Sequence, residues 1–236
     1  MNKNEKLEIG AIDQERVKGL IFDVDGTLSD TDDQMIDSMK RFLQPASFLF
    51  KNKDPHQFAR WFVTAIETPA NFIYGLADRL SVDGALIRLH QKLTQKQKAK
   101  HASHEQFLII PGVVSMLETL SNKFPMAIVS SRDGLTTHQF LEYFDLLPYF
   151  KVVVTSQTCQ RTKPSPEPIL YAAEQMGLDV QACLMIGDTI VDVRAGRSAG
   201  AQTVGVLCGF GTQGELKRAG ADLILSNTSD LVHNFD

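Results

Sequence analysis

Two aspartates placed two positions apart could bind a cation or share a proton. Asp23 and Asp25 follow an apolar run that ends at Phe22, and Gly26 comes directly after them. Because side chains alternate along a strand, residues two apart point to the same side. Two like charges roughly 4 Å apart repel by about 4 kcal/mol at an effective dielectric near 20, so folding alone does not favour such a pair. The pair therefore predicts a cation site or a proton-transfer site.

The pair does not fit a calcium-binding EF-hand loop, which has an invariant Gly at its sixth position and a Glu at its twelfth. Counted from Asp23, Gly26 falls at the fourth position and Gln34 at the twelfth. A polar strand end followed by a glycine turn is the alternative for this fragment alone. Against that alternative stand further polar residues at or just after the ends of later predicted strands: Ser130, Lys163, Asp188 and Asp192.

From residue 107 onward the pattern alternates between strand and helix. After a first strand that ends at Phe22, strands are predicted at Met126–Val129, Lys151–Val154, Cys183–Ile186, Thr203–Leu207 and Ala221–Leu225. The predicted helices between them are Val114–Leu120, Thr136–Phe144, Glu167–Met176, Val193–Ser198 and Gly214–Ala219. Such alternation indicates an α/β fold with a doubly wound parallel sheet and helices on both faces. Ligands of such sheets bind beyond the carboxyl ends of the strands, so the polar strand-end residues are expected to converge there.

Residues 31–106 contain no convincing strand. Helices are predicted instead over Met35–Leu43, Pro55–Glu67, Pro69–Leu80 and from Gly84 to about His101, with Asp54 and Thr68 as N-caps of the second and third. The sequence therefore predicts an α/β core made of residues 17–30 and 107–236, an all-helical domain at 31–106 inserted into it, and a polar N-terminal tail at 1–16.

The composition is that of an ordinary globular protein. Of its 236 residues 43% are hydrophobic and 22% are charged, and the formal net charge of −4 argues against a nucleic-acid partner. Uninterrupted apolar runs stay well short of 18 residues, which predicts neither a signal peptide nor a membrane span and makes the cytoplasm the expected location. The three cysteines lack C-x-x-C spacing, which disfavours a disulfide framework and a zinc site. A monomer or a homodimer is expected.

Four segments resemble, in order and spacing, the motifs of the haloacid dehalogenase-like superfamily. They are residues 23–28, the strand that ends in Ser130, the Lys163–Pro164 pair and residues 187–192. The resemblance spans residues 17–30 and 107–225, and the helical segment between the first two motifs looks like that family's cap domain. Residues 206–222 are similar to the phosphoglycolate phosphatase branch.

The resemblance implies a Mg²⁺-dependent phosphatase that hydrolyses a small phosphorylated metabolite, such as phosphoglycolate or a sugar phosphate, through an aspartyl phosphate. Asp23 would be the nucleophile, and Asp25 would protonate the leaving alcohol and later take a proton from water. Relatives that cleave carbon–halogen or phosphonate bonds lack an acid at the position of Asp25, so its presence favours phosphate esters.

The same resemblance implies roles for the remaining motif residues. Asp23, Asp188 and the backbone carbonyl of Asp25 would hold Mg²⁺, while Asp192 would act on the metal's waters or on Lys163. Ser130 and Lys163 would bind the phosphoryl group and share in catalysis. Further substrate contacts are expected from Thr27, Ser131 and Arg132.

Two other functions fit the same residues. A phosphomutase of the β-phosphoglucomutase type keeps these aspartates but returns the phosphoryl group to a sugar. A binding protein without turnover could retain the fold. Residues 31–106 are expected to select the substrate.

Overall fold

The protein is described here from a computed structural model that defines residues 8–30 and 107–235. Its strands are β1 (Glu8–Gly10), β2 (Gly19–Phe22), β3 (Met126–Val129), β4 (Val152–Val154), β5 (Cys183–Gly187), β6 (Gln202–Val206) and β7 (Leu223–Leu225). The α-helices of the described residues are α1 (Val113–Ser121), α2 (Gly134–Tyr143), α3 (Glu167–Met176), α4 (Ile190–Ala199) and α5 (Gln213–Ala219).

The strands form one seven-stranded sheet in the order β1-β7-β6-β5-β2-β3-β4. Strands β2 to β7 are parallel, and β1 adds to the edge by antiparallel pairing with β7. From β2 the chain steps outward to β3 and β4, then returns to β5 on the other side of β2. The predicted doubly wound parallel sheet is confirmed, and the winding reverses between β2 and β5.

Helices cover both faces of the sheet, so its central strands are buried on both sides. Leu20 and Phe22 of β2 pack in one cluster with α1 and α2, whereas Ile21 packs in the opposite cluster with α3 and α4. All three side chains are fully buried. This two-sided burial explains why β2 reads as a continuous apolar run rather than as an alternating pattern.

The N-terminal segment departs from the predicted polar tail at residues 8–10, which form β1 against Leu223–Leu225. Gly10 has φ 95°, and a Cβ there would lie 2.1 Å from the carbonyl oxygen of Asp222. Beyond the strand, Asp13 N–H donates to Gln202 Oε1 at 2.6 Å, and Gln202 Nε2 donates back to the Asp13 carbonyl at 3.0 Å. Three residues are too few for a strand pattern to be recognised.

The chain divides into two units, residues 1–34 with 107–236 and residues 35–106. The helices predicted between residues 31 and 106 lie outside the described residues, and the cap domain stays a prediction. Every helix within the described ranges is too short or too polar to span a bilayer.

Candidate active site

The polar residues that are predicted to converge follow neighbouring strands, beyond the carboxyl ends of those strands. In the register of the sheet, Phe22 pairs with Ile128 of β3 and with Ile186 of β5. Asp23 comes one residue after this level, and Ser130 and Asp188 come two residues after it. The Asp23 N–H donates to the Ile186 carbonyl at 2.9 Å, which ties the end of β2 to β5. The site therefore lies at the point where the winding of the sheet reverses.

Lys163 joins two of the predicted aspartates. Its Nζ lies 2.7 Å from Asp23 Oδ1 and 2.6 Å from Asp192 Oδ1. The three side chains are almost fully buried, with 3%, 10% and 2% of their surface exposed in that order. A buried ammonium between two carboxylates fixes all three groups, because each would be costly to leave unpaired.

Burial and neighbouring charges move the proton affinities of this cluster. Burial raises the pKa of Asp23 from 3.8 to about 7, because desolvation together with Asp192 and Asp25 outweighs the opposing effect of Lys163. Burial acts to lower the pKa of Lys163, but Asp192 and Asp23 outweigh it and the pKa rises above its ordinary value. The lysine therefore stays charged at neutral pH, whereas Asp23 changes between its protonated and its ionised form in that range.

Asp192 is fixed by the start of α4. Its Oδ2 accepts from the Thr189 N–H at 3.0 Å and from the Thr189 hydroxyl at 2.6 Å, the arrangement of a capping box. Its Oδ1 accepts from Lys163. Both carboxylate oxygens thus have donors from the protein, so Asp192 positions Lys163.

Asp188 follows β5 and is completely buried. Its Oδ2 accepts from the Phe210 N–H at 2.7 Å, in the loop that follows β6. Two glycines pack against the same carboxylate, since a Cβ at Gly26 or at Gly209 would lie 2.4 or 2.2 Å from Oδ2. The backbone on both sides therefore approaches Asp188 closely and holds its carboxylate in one place.

Three of these carboxylates could surround a metal ion. One carboxylate oxygen from each of Asp23, Asp188 and Asp192 lies within 4.8 Å of the others, and all three residues are buried. Clustered carboxylate oxygens fit the hard-oxygen preference of Mg²⁺. Both oxygens of Asp192 already accept hydrogen bonds, whereas Lys163 contacts Oδ1 of Asp23 and the Phe210 N–H contacts Oδ2 of Asp188. Asp23 and Asp188 are therefore the members better suited to direct coordination.

Asp25 points its carboxylate to a different partner. Arg132 Nε donates to Asp25 Oδ1 at 2.9 Å and to Oδ2 at 2.7 Å, and Arg132 Nη2 also donates to Oδ1. The side chain of Asp25 is 34% exposed and that of Arg132 is 16% exposed. The expected acid–base residue is therefore more accessible than the buried cluster around Asp23.

The other predicted substrate contacts differ in accessibility. Ser130 is buried and its hydroxyl accepts from the Arg132 N–H at 3.1 Å, whereas Ser131 is exposed. Thr27 is completely buried, and within residues 8–30 and 107–235 its hydroxyl has no hydrogen-bond partner. A substrate role for these three residues stays a prediction.

Two groups that donate hydrogen bonds to aspartates of the site were not predicted from the sequence, namely Thr189 and the Phe210 N–H. Thr189 could have been found, because Thr189 and Asp192 have the T-x-x-D spacing of a capping box. Phe210 could not, because its contribution to Asp188 is a backbone N–H that any residue except proline could supply.

The sequence matches the family described as haloacid dehalogenase-like hydrolase over residues 20–206. A protein named "Probable phosphatase IndB" from Dickeya dadantii is 29% identical over 218 residues, which cover 90% of this chain and 91% of that protein. Pyrophosphatase PpaX from Bacillus pumilus is 26% identical, with 94% and 97% of the two chains covered. Phosphoglycolate phosphatase from Escherichia coli is 31% identical over 147 residues, 62% of this chain and 58% of that one.

Solved structures share the fold. A hydrolase from Pseudomonas syringae superposes with a TM-score of 0.66 at 29% identity, covering 93% of this chain and 98% of the other. A haloacid dehalogenase-like family protein from Streptococcus pneumoniae superposes with a TM-score of 0.69 at 20% identity, covering 94% and 100%. The second likeness concerns the fold alone.

Proposed function

The chain belongs to the haloacid dehalogenase-like family of hydrolases, and we propose that it is a Mg²⁺-dependent phosphatase that hydrolyses a small phosphomonoester through an aspartyl phosphate. The observation that carries this proposal is the buried group at the strand ends, in which Lys163 contacts Asp23 at 2.7 Å and Asp188 lies alongside. A carboxylate beside a fixed cation is suited to attack a phosphoryl group, because the cation offsets the charge of nucleophile and phosphate together.

In the first step Asp23 attacks phosphorus. A bond forms between a carboxylate oxygen and phosphorus, and the ester bond to the leaving oxygen breaks. Asp25 donates its proton to that oxygen, so the product leaves as an alcohol. Lys163 and the hydroxyl of Ser130 contribute hydrogen bonds to the phosphoryl oxygens.

In the second step water attacks phosphorus of the aspartyl phosphate. Asp25, now a carboxylate, takes a proton from that water while the bond between phosphorus and Asp23 breaks. Inorganic phosphate leaves, and both aspartates return to their starting states. One residue thus serves as acid and then as base, in line with the accessible position of Asp25 beside a buried nucleophile.

The metal would be held by Asp23 and Asp188, with the backbone carbonyl of Asp25 as a further oxygen ligand. When bound, Mg²⁺ supplies positive charge beside the phosphoryl oxygens and orients the phosphate for in-line attack. Asp192 keeps Lys163 in place through the 2.6 Å contact and would stay outside the metal's direct ligands.

The proposal is tested by assaying phosphate release from phosphoglycolate, pyrophosphate, sugar phosphates and p-nitrophenyl phosphate, with Mg²⁺ and with EDTA. Activity should require the metal, and Asp23→Asn should lower it by about a thousandfold or more, since an amide is a poor nucleophile. Asp145→Asn is the matched control, because Asp145 is exposed and its φ of 54° suits Asn equally.

The same assay can contradict the proposal. Near-normal turnover by Asp23→Asn would exclude Asp23 as the nucleophile. Full activity in EDTA would exclude the metal. Sugar phosphate isomerisation that requires a bisphosphorylated sugar, without net phosphate release, would establish a mutase instead.

A further inference from the structure

The proposed reaction uses Asp25 twice, and a bidentate contact fixes that residue. Arg132 Nε donates to both carboxylate oxygens of Asp25, at 2.9 and 2.7 Å, and Nη2 donates to one of them as well. A planar guanidinium that grips a carboxylate through two nitrogens sets its direction as well as its distance. The orientation of Asp25 therefore depends on where Arg132 lies.

Arg132 is itself held by its surroundings on several sides. Its N–H donates to Ser130 Oγ at 3.1 Å, and its carbonyl accepts from the Ser156 N–H at 2.9 Å. The guanidinium carbon lies 5.8 Å from the ring centroid of Phe140, whose side chain is completely buried in the core. An arginine over an aromatic ring gains a favourable cation–π contact. The core thus fixes the guanidinium independently of Asp25.

The contact joins two loops that the fold brings together from distant parts of the sequence. Asp25 lies in the turn after β2, and Arg132 lies three residues after the end of β3 at Val129. The neighbouring carboxylate Asp23 is bound instead to Lys163, which also contacts Asp192. Each of the two reacting aspartates therefore has a cationic partner of its own, one buried and one accessible.

We propose that Arg132 is the positioning residue for Asp25 and sets the direction in which its carboxyl group faces the leaving oxygen. This inference rests on the proposed function. A guanidinium is always charged in proteins and has no acceptor, so Arg132 cannot be the acid or the base itself and acts through Asp25. Losing it should impair proton transfer while leaving attack by Asp23 intact.

Leaving-group chemistry separates this role from a merely structural one. The p-nitrophenolate group leaves readily without a proton, whereas the alkoxide of an alkyl phosphate such as phosphoglycolate requires protonation. General acid catalysis typically contributes between 10²- and 10⁴-fold. Because the second step is the same for every ester, the first step is measured alone, as the rate of aspartyl phosphate formation at saturating ester. Arg132→Ala is expected to lower this rate by about 10- to 100-fold with phosphoglycolate and by less than about threefold with p-nitrophenyl phosphate.

Three further variants complete the test. Arg132→Lys keeps the charge but lacks the bidentate fork, so a smaller loss with the same leaving-group dependence is expected. In an Asp25→Asn background, Arg132→Ala should cause no further loss, because residues that act through one another are not additive. Arg194→Ala is the matched control, since Arg194 is exposed on α4.

The proposal is overturned if the Arg132 variants slow aspartyl phosphate formation equally with both esters, if only the ester concentration for half-maximal rate rises, or if Arg132→Ala still lowers activity when Asp25 is already Asn. The last two results would make Arg132 a substrate contact. Failure of the proposed function is a different result, namely normal turnover by Asp23→Asn. Melting temperatures of the variants identify any loss that comes from unfolding.

Discussion

At the scale of single residues, the chemistry depends on the different surroundings of two nearby carboxylates. Asp23 is buried against Lys163, while Asp25 is accessible and bound by Arg132. A carboxylate without a cation beside it would be repelled by a phosphate dianion, so Lys163 suits Asp23 to attack on phosphorus. Arg132 instead sets the direction of the Asp25 carboxyl group.

Asp23 should make the stability of the metal-free protein depend on pH. Its pKa rises from 3.8 to about 7 on folding, so the folded state binds this proton more tightly than the unfolded chain. The stabilisation it provides is complete below pH 4 and is lost as the pH rises through 7. Asp23→Asn should therefore stabilise the EDTA-treated protein more at pH 8 than at pH 5, by about 2–3 kcal/mol.

Urea unfolding of wild type and Asp23→Asn across this pH range measures the difference. Asp145→Asn provides the control for a general effect of removing one carboxylate. A stability difference that is constant with pH, or larger at pH 5 than at pH 8, would contradict the raised proton affinity of Asp23.

At the scale of elements, the loop after β6 packs against Asp188, the carboxylate that is proposed to bind the metal. The Phe210 N–H donates to Asp188, and a Cβ at Gly209 would lie 2.2 Å from Asp188 Oδ2 and 2.6 Å from the Gly26 carbonyl oxygen. Such distances leave no room for a side chain. The loop therefore fixes the position of the Asp188 carboxylate.

Gly209→Ala should displace Asp188 and raise the Mg²⁺ concentration for half-maximal activity by about tenfold, with a stability loss of about 1–3 kcal/mol from overpacking. Metal titration of activity together with thermal melts separates the two effects. Gly214→Ala is the matched control, because a Cβ there would lie 3.4 Å from the flexible end of Arg218. An unchanged metal requirement for Gly209→Ala would refute the role of the loop.

Helices that carry start and stop residues at their ends were predictable from the sequence. Helix α3 has the predicted bounds, because Pro166 and Pro168 mark its start and Gly177, with φ 74°, its end. Helix α4 begins at Ile190, three residues before the predicted Val193. The predicted start was late because it did not take the capping box of Thr189 and Asp192 as the start signal. Local rules thus located elements well and missed boundaries where a polar cap opens the helix.

Contacts across the sequence were less predictable. The convergence of Asp23, Lys163 and Asp188 could be predicted from the order of the strands, since the carboxyl ends of parallel strands lie on the same side of the sheet. The pairing of Asp25 with Arg132, 107 residues apart, followed from no pattern. It depends on the direction of two loops, which strand and helix periodicity does not encode.

At the scale of the whole molecule, the outermost strand β1 lies away from the strands that carry the proposed site. Strand β1 lies at one edge, with β7, β6 and β5 between it and β2. Three residues that pair at a sheet edge add stability through a few backbone hydrogen bonds. The N-terminal strand should therefore matter for folding and leave the chemistry untouched.

Deletion of residues 1–10 should lower the free energy of unfolding by about 1–3 kcal/mol and leave kcat within about twofold of wild type. Urea unfolding and phosphatase assays check the two parts. Deletion of residues 1–7, which spares β1, is the control and should change neither. A fall in kcat of about tenfold or more in a folded deletion variant would assign the segment a part in the site.

If Asp23 is the nucleophile, it becomes phosphorylated during turnover. The most direct measurement is mass spectrometry of enzyme quenched in acid within the first turnovers with Mg²⁺ and phosphoglycolate or p-nitrophenyl phosphate. One phosphoryl group is expected on the peptide that contains Asp23, and none in Asp23→Asn. Steady turnover in which no peptide gains a phosphoryl group, or in which the phosphoryl group lies on another residue, would contradict a nucleophilic role of Asp23.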